Sequence, residues 1–392
     1  MKKLSAFLLV FIMVFSFASC GEEKPELEKE TTTASVQETT TLLQEEKPEG
    51  VVTLDVFTEE AKLVDRVENS DIPLAKVSYQ LLSLSEKDAK AYPQLSQALD
   101  NLNKEQKAYS EEEFNEIKEW AKEGYANSDP EYFYGYTSNR EYLVQRADSI
   151  VLSVSSEWDS YTGGAHPNYG TGCYNFDTQT GEKLKLSDVV TDISLIPEIL
   201  SEVLIARNPM EPFAGGDLKG TLSEYKEDQF TWTIGNQSIV FYFSPYEIAS
   251  FASGSFAVTI FFEENPDLFN EKYTEKADSY SYEITAHSDV ECDIDEEDNH
   301  TDWIHITPEE YEDGYYTVLN VSVNGEEMKL NDYKFYDSRY YLVNKNGVFS
   351  LCAELYLSDN SITTVVFDIS GNKAEVNVVL DNTKFADADL IQ

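Results

Sequence analysis

Positive charge is what this 392-residue chain has least of: 29 Lys and Arg stand against 73 Asp and Glu, a formal net charge of -44. Such a field repels nucleic acid and anionic lipid headgroups and attracts cationic partners, with rates that fall as salt rises. It also serves to keep an exported protein soluble. Cysteine is nearly absent as well, at four residues with no C-x-x-C spacing, which leaves no zinc-ribbon or thioredoxin-type redox motif. No G-x-S-x-G stretch is present, so the nucleophile elbow of serine hydrolases has no counterpart. What is abundant is aromatic: 25 Tyr, 21 Phe and 4 Trp supply ample material for packed interiors.

The chain opens on Met1-Lys2-Lys3, followed by an uncharged, mostly apolar run from Leu4 to Ser19 and then Cys20-Gly21. This is a secretory signal layout, short for a membrane span, which needs about 20 apolar residues; an ordinary signal peptide or an uncleaved anchor is the alternative to a lipoprotein signal, and each places the rest of the chain outside. Ala18 and Ser19 before Cys20 resemble the lipobox of bacterial lipoproteins, with Phe17 where Leu is commoner. The resemblance implies removal of residues 1–19 and lipidation of Cys20, anchoring the chain on the extracytoplasmic face of the cell membrane. Residues 20–50 are rich in Glu and Thr, with Pro25 and Pro48 and no aromatic residue. They read as a disordered tether with a reach of roughly 30 Å.

About 340 residues remain, room for two domains or more. Between 51 and 273 the signals mix. Ser110–Glu123 predicts a helix with Phe114, Ile117, Trp120 and Ala121 on one face, Ser110 as N-cap and Glu113 completing a capping box. Leu195–Leu204 predicts a second. Strand patterns lie at 149–158, 169–176, 237–243 and 255–262, separated by turn chemistry such as Gly235-Asn236. The expected architecture is α+β, helices on a mainly antiparallel sheet. From 274 to 392 short strands recur, with Asn324-Gly325, Asn346-Gly347, Asp359-Asn360 and Gly371-Asn372 as hairpin turns, and the pattern predicts an all-β sandwich-like domain. With Cys20 taken by lipid, Cys292 and Cys352 are candidates for a disulfide there; buried free thiols are the alternative.

Five motifs in order carry a resemblance: Tyr92-Pro93-Gln94-Leu95; Tyr161-Thr162-Gly163-Gly164-Ala165-His166-Pro167-Asn168; Tyr174-Asn175-Phe176-Asp177; Thr180-Gly181-Glu182-Lys183-Leu184-Lys185-Leu186-Ser187-Asp188; and Phe243-Ser244-Pro245-Tyr246-Glu247-Ile248-Ala249 with Gly254. Together they resemble the extracytoplasmic domain of RsiV-type anti-sigma factors, over about Val51 to Phe262. A similar domain precedes the catalytic domain of PdaC-like peptidoglycan deacetylases. The resemblance implies binding of an extracellular protein, a basic lysozyme-type muramidase, or of peptidoglycan. Anti-sigma activity is not expected, because only Met1–Lys3 precede the apolar run. Deacetylase chemistry is not expected either: it needs an H-x-x-x-H pair, and the nearest approach is His300 with His305.

The candidate binding residues are Trp158, Tyr161, Gly163, Gly164, His166, Asn168, Tyr169 and Tyr246, with Tyr174 in the same stretch. Two glycines permit a tight loop carrying His166, and aromatic side chains anchor interfaces. His166 could serve as a general base, but no nucleophile accompanies it, and no catalytic residue or cofactor is assigned. The acidic run Glu291–Asp298 offers oxygen ligands for calcium but lacks the glycine and bidentate Glu of an EF-hand loop. It reads as a solvated loop, and no metal is assigned.

Overall fold

A computed structural model describes residues 50–68, 70, 72–129, 132–294, 301–371 and 373–388. The signal segment, Cys20, the tether and the distal part of the acidic run, with His300, lie outside the described residues. Among the described residues no helix is long and apolar enough to cross a membrane.

The first sheet holds β1 (Val56–Arg66), β2 (Pro73–Leu84), β3 (Tyr136–Ala147), β4 (Val151–Tyr161) and β5 (Asn168–Asp177), in that spatial order. All its neighbours run antiparallel except β2 and β3. A parallel pair needs a crossover, supplied here by α1 (Glu86–Ala91) and α2 (Pro93–Asn127). Ser85 caps α1, its hydroxyl accepting from the Asp88 N–H at 3.1 Å. Pro93 opens α2, where its missing N–H leaves no bond unmade.

The helix expected from Ser110 therefore begins much earlier. Ser110 is no cap: it is buried mid-helix, accepting from Gln106 Nε2 at 3.0 Å. Leu95, Leu99 and Leu102 pack with Leu82, Tyr142, Leu152, Val154 and Phe176, while Ile117 and Ala121 join a second cluster with Leu74, Val77 and Phe133. Trp120, expected on the buried face, is 51% exposed. Each fully buried Leu contributes about 1.5–3 kcal/mol, which outweighs the polar residues between them.

Next come α3 (Leu186–Val189), α4 (Ile196–Arg207) and α5 (Leu218–Ser223), then the second sheet of β6 (Thr231–Ile234), β7 (Ser238–Phe243) and β8 (Phe256–Phe261), closed by α6 (Glu271–Thr274). Register makes this sheet two-faced. Trp232, Ile234, Ile239, Phe241, Phe243, Val258 and Ile260 pack on Ile196, Leu200, Leu204 and Leu222. Thr233, Val240, Tyr242 and Thr259 are left on the opposite face.

The remaining strands are β9 (Ser279–Ile284), β10 (Asp289–Cys292), β11 (Asp302–Glu312), β12 (Tyr315–Val323), β13 (Glu326–Leu330), β14 (Phe335–Lys345), β15 (Val348–Leu357), β16 (Ile362–Asp368) and β17 (Glu375–Asp381). They form one nine-stranded antiparallel sheet. Its limbs, β10–β13 and β9 with β14–β17, meet through the single pair Tyr316–Phe335 and close over one core containing Ile304, Val321, Leu342, Leu351 and Phe367. The sandwich-like character follows from that folding-over. Left-handed pairs at Asn324-Gly325 and Asn346-Gly347 make the tight hairpins, and Asp313-Gly314 adds another.

The candidate disulfide is not formed, and Cys173, Cys292 and Cys352 are all free. Cys292 belongs to the core between the limbs, whereas strand alternation turns Cys352 to the other face beside Tyr341, Val343 and Val366. Burial pushes the Cys352 thiol up to about 12.

Arg146 links the parts. Fully buried, it donates from Nε to Asp148 Oδ2 at 2.6 Å, from Nη1 to the Tyr273 and Gly235 carbonyls and from Nη2 to the Glu275 carbonyl. A bulge between Val144 and Arg146 interrupts β3 pairing, and the Val144 N–H donates to Glu283 Oε2 on β9 at 3.1 Å.

Candidate functional site

Two concavities lie on opposite faces of the first sheet, and the alternation of β4 decides what lines each. Trp158 and Ser160 share the face covered by α2, whereas Ser155, Glu157 and Asp159 share the other; Trp158 and Tyr169 line both concavities.

On the α2 side is a groove of about 560 Å³, walled by Tyr109 and Glu113 of α2, Arg140 of β3, Trp158, and the Ser244–Phe251 loop. Asn168 and Tyr169, at the start of β5, complete it. The glycine-containing loop reaches its rim. Gly163 has φ 86°, and a Cβ there would lie 2.7 Å from the Tyr136 hydroxyl, so only glycine fits. The Tyr161 hydroxyl donates to the Gly164 carbonyl at 3.3 Å, drawing the loop over the strand end. His166 then stacks on Phe251 with ring centroids 3.7 Å apart, and its Nδ1 lies 2.9 Å from the Pro167 carbonyl.

Phe251 is the hub. Tyr169 meets it edge-on at 5.7 Å and Tyr246 tilts against it at 5.4 Å. Tyr246 is 66% exposed with φ 73°, a conformation unfavourable for a bulky residue. Glu247 stabilises the turn by accepting from the Ser244 N–H at 2.9 Å, and burial raises its carboxyl above the usual range. Gly170 makes the docking possible. A Cβ there would sit 2.6 Å from Ser244 Oγ and 2.9 Å from Trp158.

Arg140 spreads over the Tyr109 ring at 4.4 Å and lies 3.9 Å from Glu113. The separation exceeds a hydrogen bond. Arg140 Nε and Glu113 Oε2 are enclosed without a partner.

Across the sheet lies a cleft of about 980 Å³ between the first sheet, the polar face of the second sheet and the β9–β10 segment. Its lining is acidic: Glu157, Asp159, Glu283, Asp289 and Glu291 face one guanidinium, Arg207. That cation is engaged, paired with Glu291 and placed over Trp303 at 5.3 Å. Burial raises the carboxyls of Glu157, Asp159 and Glu291, and it lifts Glu283 to about 7 despite the Val144 N–H and nearby Arg339. The Tyr242 and Cys173 side chains are likewise pushed up by burial. Among the described residues no group of His, Cys, Asp and Glu is arranged to hold a metal.

Of the residues singled out in the sequence, Trp158, Asn168, Tyr169 and Tyr246 line the groove, and His166 reaches it through Phe251. Tyr161, Gly163 and Gly164 shape the loop. Tyr174 lies elsewhere, edge-on to Tyr142 at 6.0 Å and beneath Lys183. Sequence reasoning missed Tyr109, Arg140 and Phe251, and it took Glu113 for part of a helix cap, whereas that residue lies mid-helix and faces the groove. Of the missed residues only Phe251 carried a signal, lying between two recognised pieces of one motif.

With this geometry in view, comparison with known proteins places two segments. Residues 70–169 match the family described as Deacetylase PdaC, and residues 205–263 match the family described as Protein of unknown function (DUF3298). The chain carries a PdaC-like and a DUF3298-like segment. The kinship implied by the five motifs is thereby borne out for the α+β part. The PdaC-like segment contributes β2 to β4 with α2, and the DUF3298-like segment contributes the second sheet and the Tyr246–Phe251 loop, so the groove is built from both. The nine-stranded sheet lies outside both matches. Two solved structures are similar: a DUF3298 family member from Bacteroides fragilis, 18% identical, covering 56% of this chain and 94% of its own with a TM-score of 0.42, and a DUF3298 family protein from Pseudomonas aeruginosa, 12% identical, covering 57% and 98% with a TM-score of 0.38. No functionally curated protein matches the chain.

Proposed function

We propose that this protein is an extracytoplasmic, cell-wall-associated binding module, without catalysis, and that the groove around Phe251 takes wall glycan. The observation that carries this reading is the gathering of His166, Tyr169 and Tyr246 on Phe251 at the rim of a concavity that also presents Trp158 and Asn168. Aromatic faces beside a few fixed polar groups suit a sugar ring, apolar on its faces and polar at its edge. In this reading His166 is a contact residue, since one face of its ring is covered by Phe251.

The test is retention of the purified full chain on isolated peptidoglycan, against a Phe251→Ala variant. Loss of the hub ring should weaken retention about tenfold or more. Retention unchanged by the substitution would refute the assignment of the groove.

A second reading, a basic extracellular protein of the lysozyme type as ligand, is supported by the net charge of -44 and the carboxylate-lined cleft. Calorimetric titration with a basic lysozyme separates the two. This reading requires saturable binding that weakens with salt but survives at physiological ionic strength.

Placement outside the cell follows in this proposal from the signal layout, with Cys20 as the lipidated residue. Fatty-acid labelling should mark the chain and vanish in a Cys20→Ser variant; a labelled variant would overturn the anchor.

A further inference from the structure

The cleft across the first sheet holds negative charge that the chain itself leaves unanswered. Four of its carboxylates have a basic partner: Glu291 pairs with Arg207, Asp289 lies 3.0 Å from His305 Nδ1, and Lys76 and Arg339 act on Asp159 and Glu283. Among the described residues Glu157 has none. The charge that reaches it is that of Glu141, directly opposite on β3, and its carboxylate accepts from the Thr171 and Ser155 hydroxyls. Like charges directly opposed across two strands are destabilising. A partly buried carboxylate facing another, with no cation between, is an arrangement that a bound cation would relieve.

A second observation is independent of charge. Ser238 shares the polar face of the second sheet with Val240 and Tyr242, so strand alternation aims it into the cleft. It is 8% exposed, and among the described residues its hydroxyl makes no hydrogen bond. Asn236, at the turn before it, also lines the cleft, is 4% exposed, and has an unbonded side-chain amide. Neither group is among the polar atoms sealed from solvent, so a ligand can reach both. Buried polar groups without partners are few in folded proteins.

The spacing of these groups describes what fits. Tyr242 marks the Glu157 end, its phenol raised by burial and by the neighbouring Cys173 and Glu157. Ser238 lies four residues away on β7, roughly 13 Å along the strand. Between them the apolar Val240 faces the cleft beside its strand partner Thr259, whose hydroxyl bonds Glu291. We infer that the cleft is a receptor for a linear polyamine, one terminal ammonium seated on Glu157 and the other reaching the Ser238 hydroxyl and the Asn236 amide oxygen. An ammonium donates three hydrogen bonds and accepts none, which matches oxygen acceptors at both ends. The methylenes between lie on Val240, and an internal amine meets Glu291. This site is separate from the glycan groove, on the other face of the first sheet.

The experiment is calorimetric titration of the full chain with spermidine, and with butylamine as a single ammonium on an apolar chain. Physiological salt is used, where exposed charges beyond about 8 Å are screened. The expected result is one saturable spermidine site, at least about tenfold tighter than butylamine because further charge-assisted bonds are made. Glu157→Gln should weaken spermidine about tenfold or more and Ser238→Ala about threefold or more. Glu326→Gln, at an exposed carboxylate on β13, should change nothing. Because Glu157→Gln removes a like-charge opposition, its Tm should not fall, which separates lost binding from lost folding. The wild-type comparison of the two amines stands whatever the variants do. Equal affinity for both amines would overturn the extended receptor, and so would the absence of spermidine binding. Many weak sites, or equal weakening in all three variants, would reduce the effect to diffuse attraction by the net charge of -44 and overturn it as well.

Discussion

At the scale of single residues, the groove depends on places where a side chain is missing. Gly170 is the sharpest case, since a Cβ there would press on both Ser244 Oγ and Trp158. One of them belongs to the DUF3298-like segment and the other to the PdaC-like segment, so a methyl group at 170 acts as a wedge between the two. Gly170→Ala is expected to destabilise the fold by about 1–3 kcal/mol and to displace the Tyr246–Phe251 loop. Thermal unfolding and glycan retention measured together check this: a lowered Tm with retention intact would show that the loop docks independently of the strand. The contrast between legible and illegible residues has the same origin. Gly163, His166 and Tyr246 stood out in the sequence because they sit in short loops with unusual local chemistry. Arg140 and Tyr109 did not, because a charged residue in a strand and a tyrosine on a helix look like ordinary surface until pairing and packing bring them to one groove.

At the scale of elements, what was readable was what is local. The hairpins of the third sheet announce themselves through Asn-Gly pairs that occupy the left-handed region, and β14, β15 and β16 follow from the alternation around them. The helix α2 was half read. Its C-terminal portion shows an apolar face, but its first half relies on Leu95, Leu99 and Leu102 spaced among Gln, Asn and Asp, and the buried Gln106 and Ser110 imitate a helix start. Strands β1, β2 and β3 were missed for a different reason. β2 and β3 pair in parallel across the whole of α2, and β1 is an edge strand with much of its surface in water, so nothing in the local pattern marks them. Half of the groove wall therefore stayed hidden, because it is made of β3 and of the face of α2 that β3 positions. The Cys292–Cys352 pairing failed on register: adjacent positions on a strand face opposite ways, and one-residue alternation is enough to put two thiols in different cores.

At the scale of the whole molecule, the excess of acid is not all on the surface. Glu157, Asp159, Glu283 and Glu291 line the cleft and Glu247 holds the Tyr246 turn, and burial raises the carboxyl of each. Glu283 is the strongest case, at about 7 against an ordinary 4.5, with Arg339, Tyr341 and Glu141 as its charged or titratable neighbours. A carboxyl raised in the folded state binds its proton more tightly there than in the unfolded chain. Its contribution to stability is therefore complete below the unfolded value and is lost as pH rises through the folded one. Asp177 and Glu227 act oppositely, being held below the usual range, so their contributions fade only as pH falls beneath about 4. Self-repulsion of a net charge of -44 adds to the first effect, since it weakens as carboxylates take up protons. The protein should thus be most stable in mildly acidic solution, losing stability between about pH 4.5 and 7. Glu283→Gln should flatten that slope, because the amide can still accept from Val144 N–H but has no proton to lose. Denaturant unfolding of both chains across this range, in high salt to suppress the general repulsion, isolates the one site. If the wild type and the variant keep parallel profiles there, Glu283 does not titrate with folding, and the contact between β3 and β9 is not the pH-sensitive joint of the molecule.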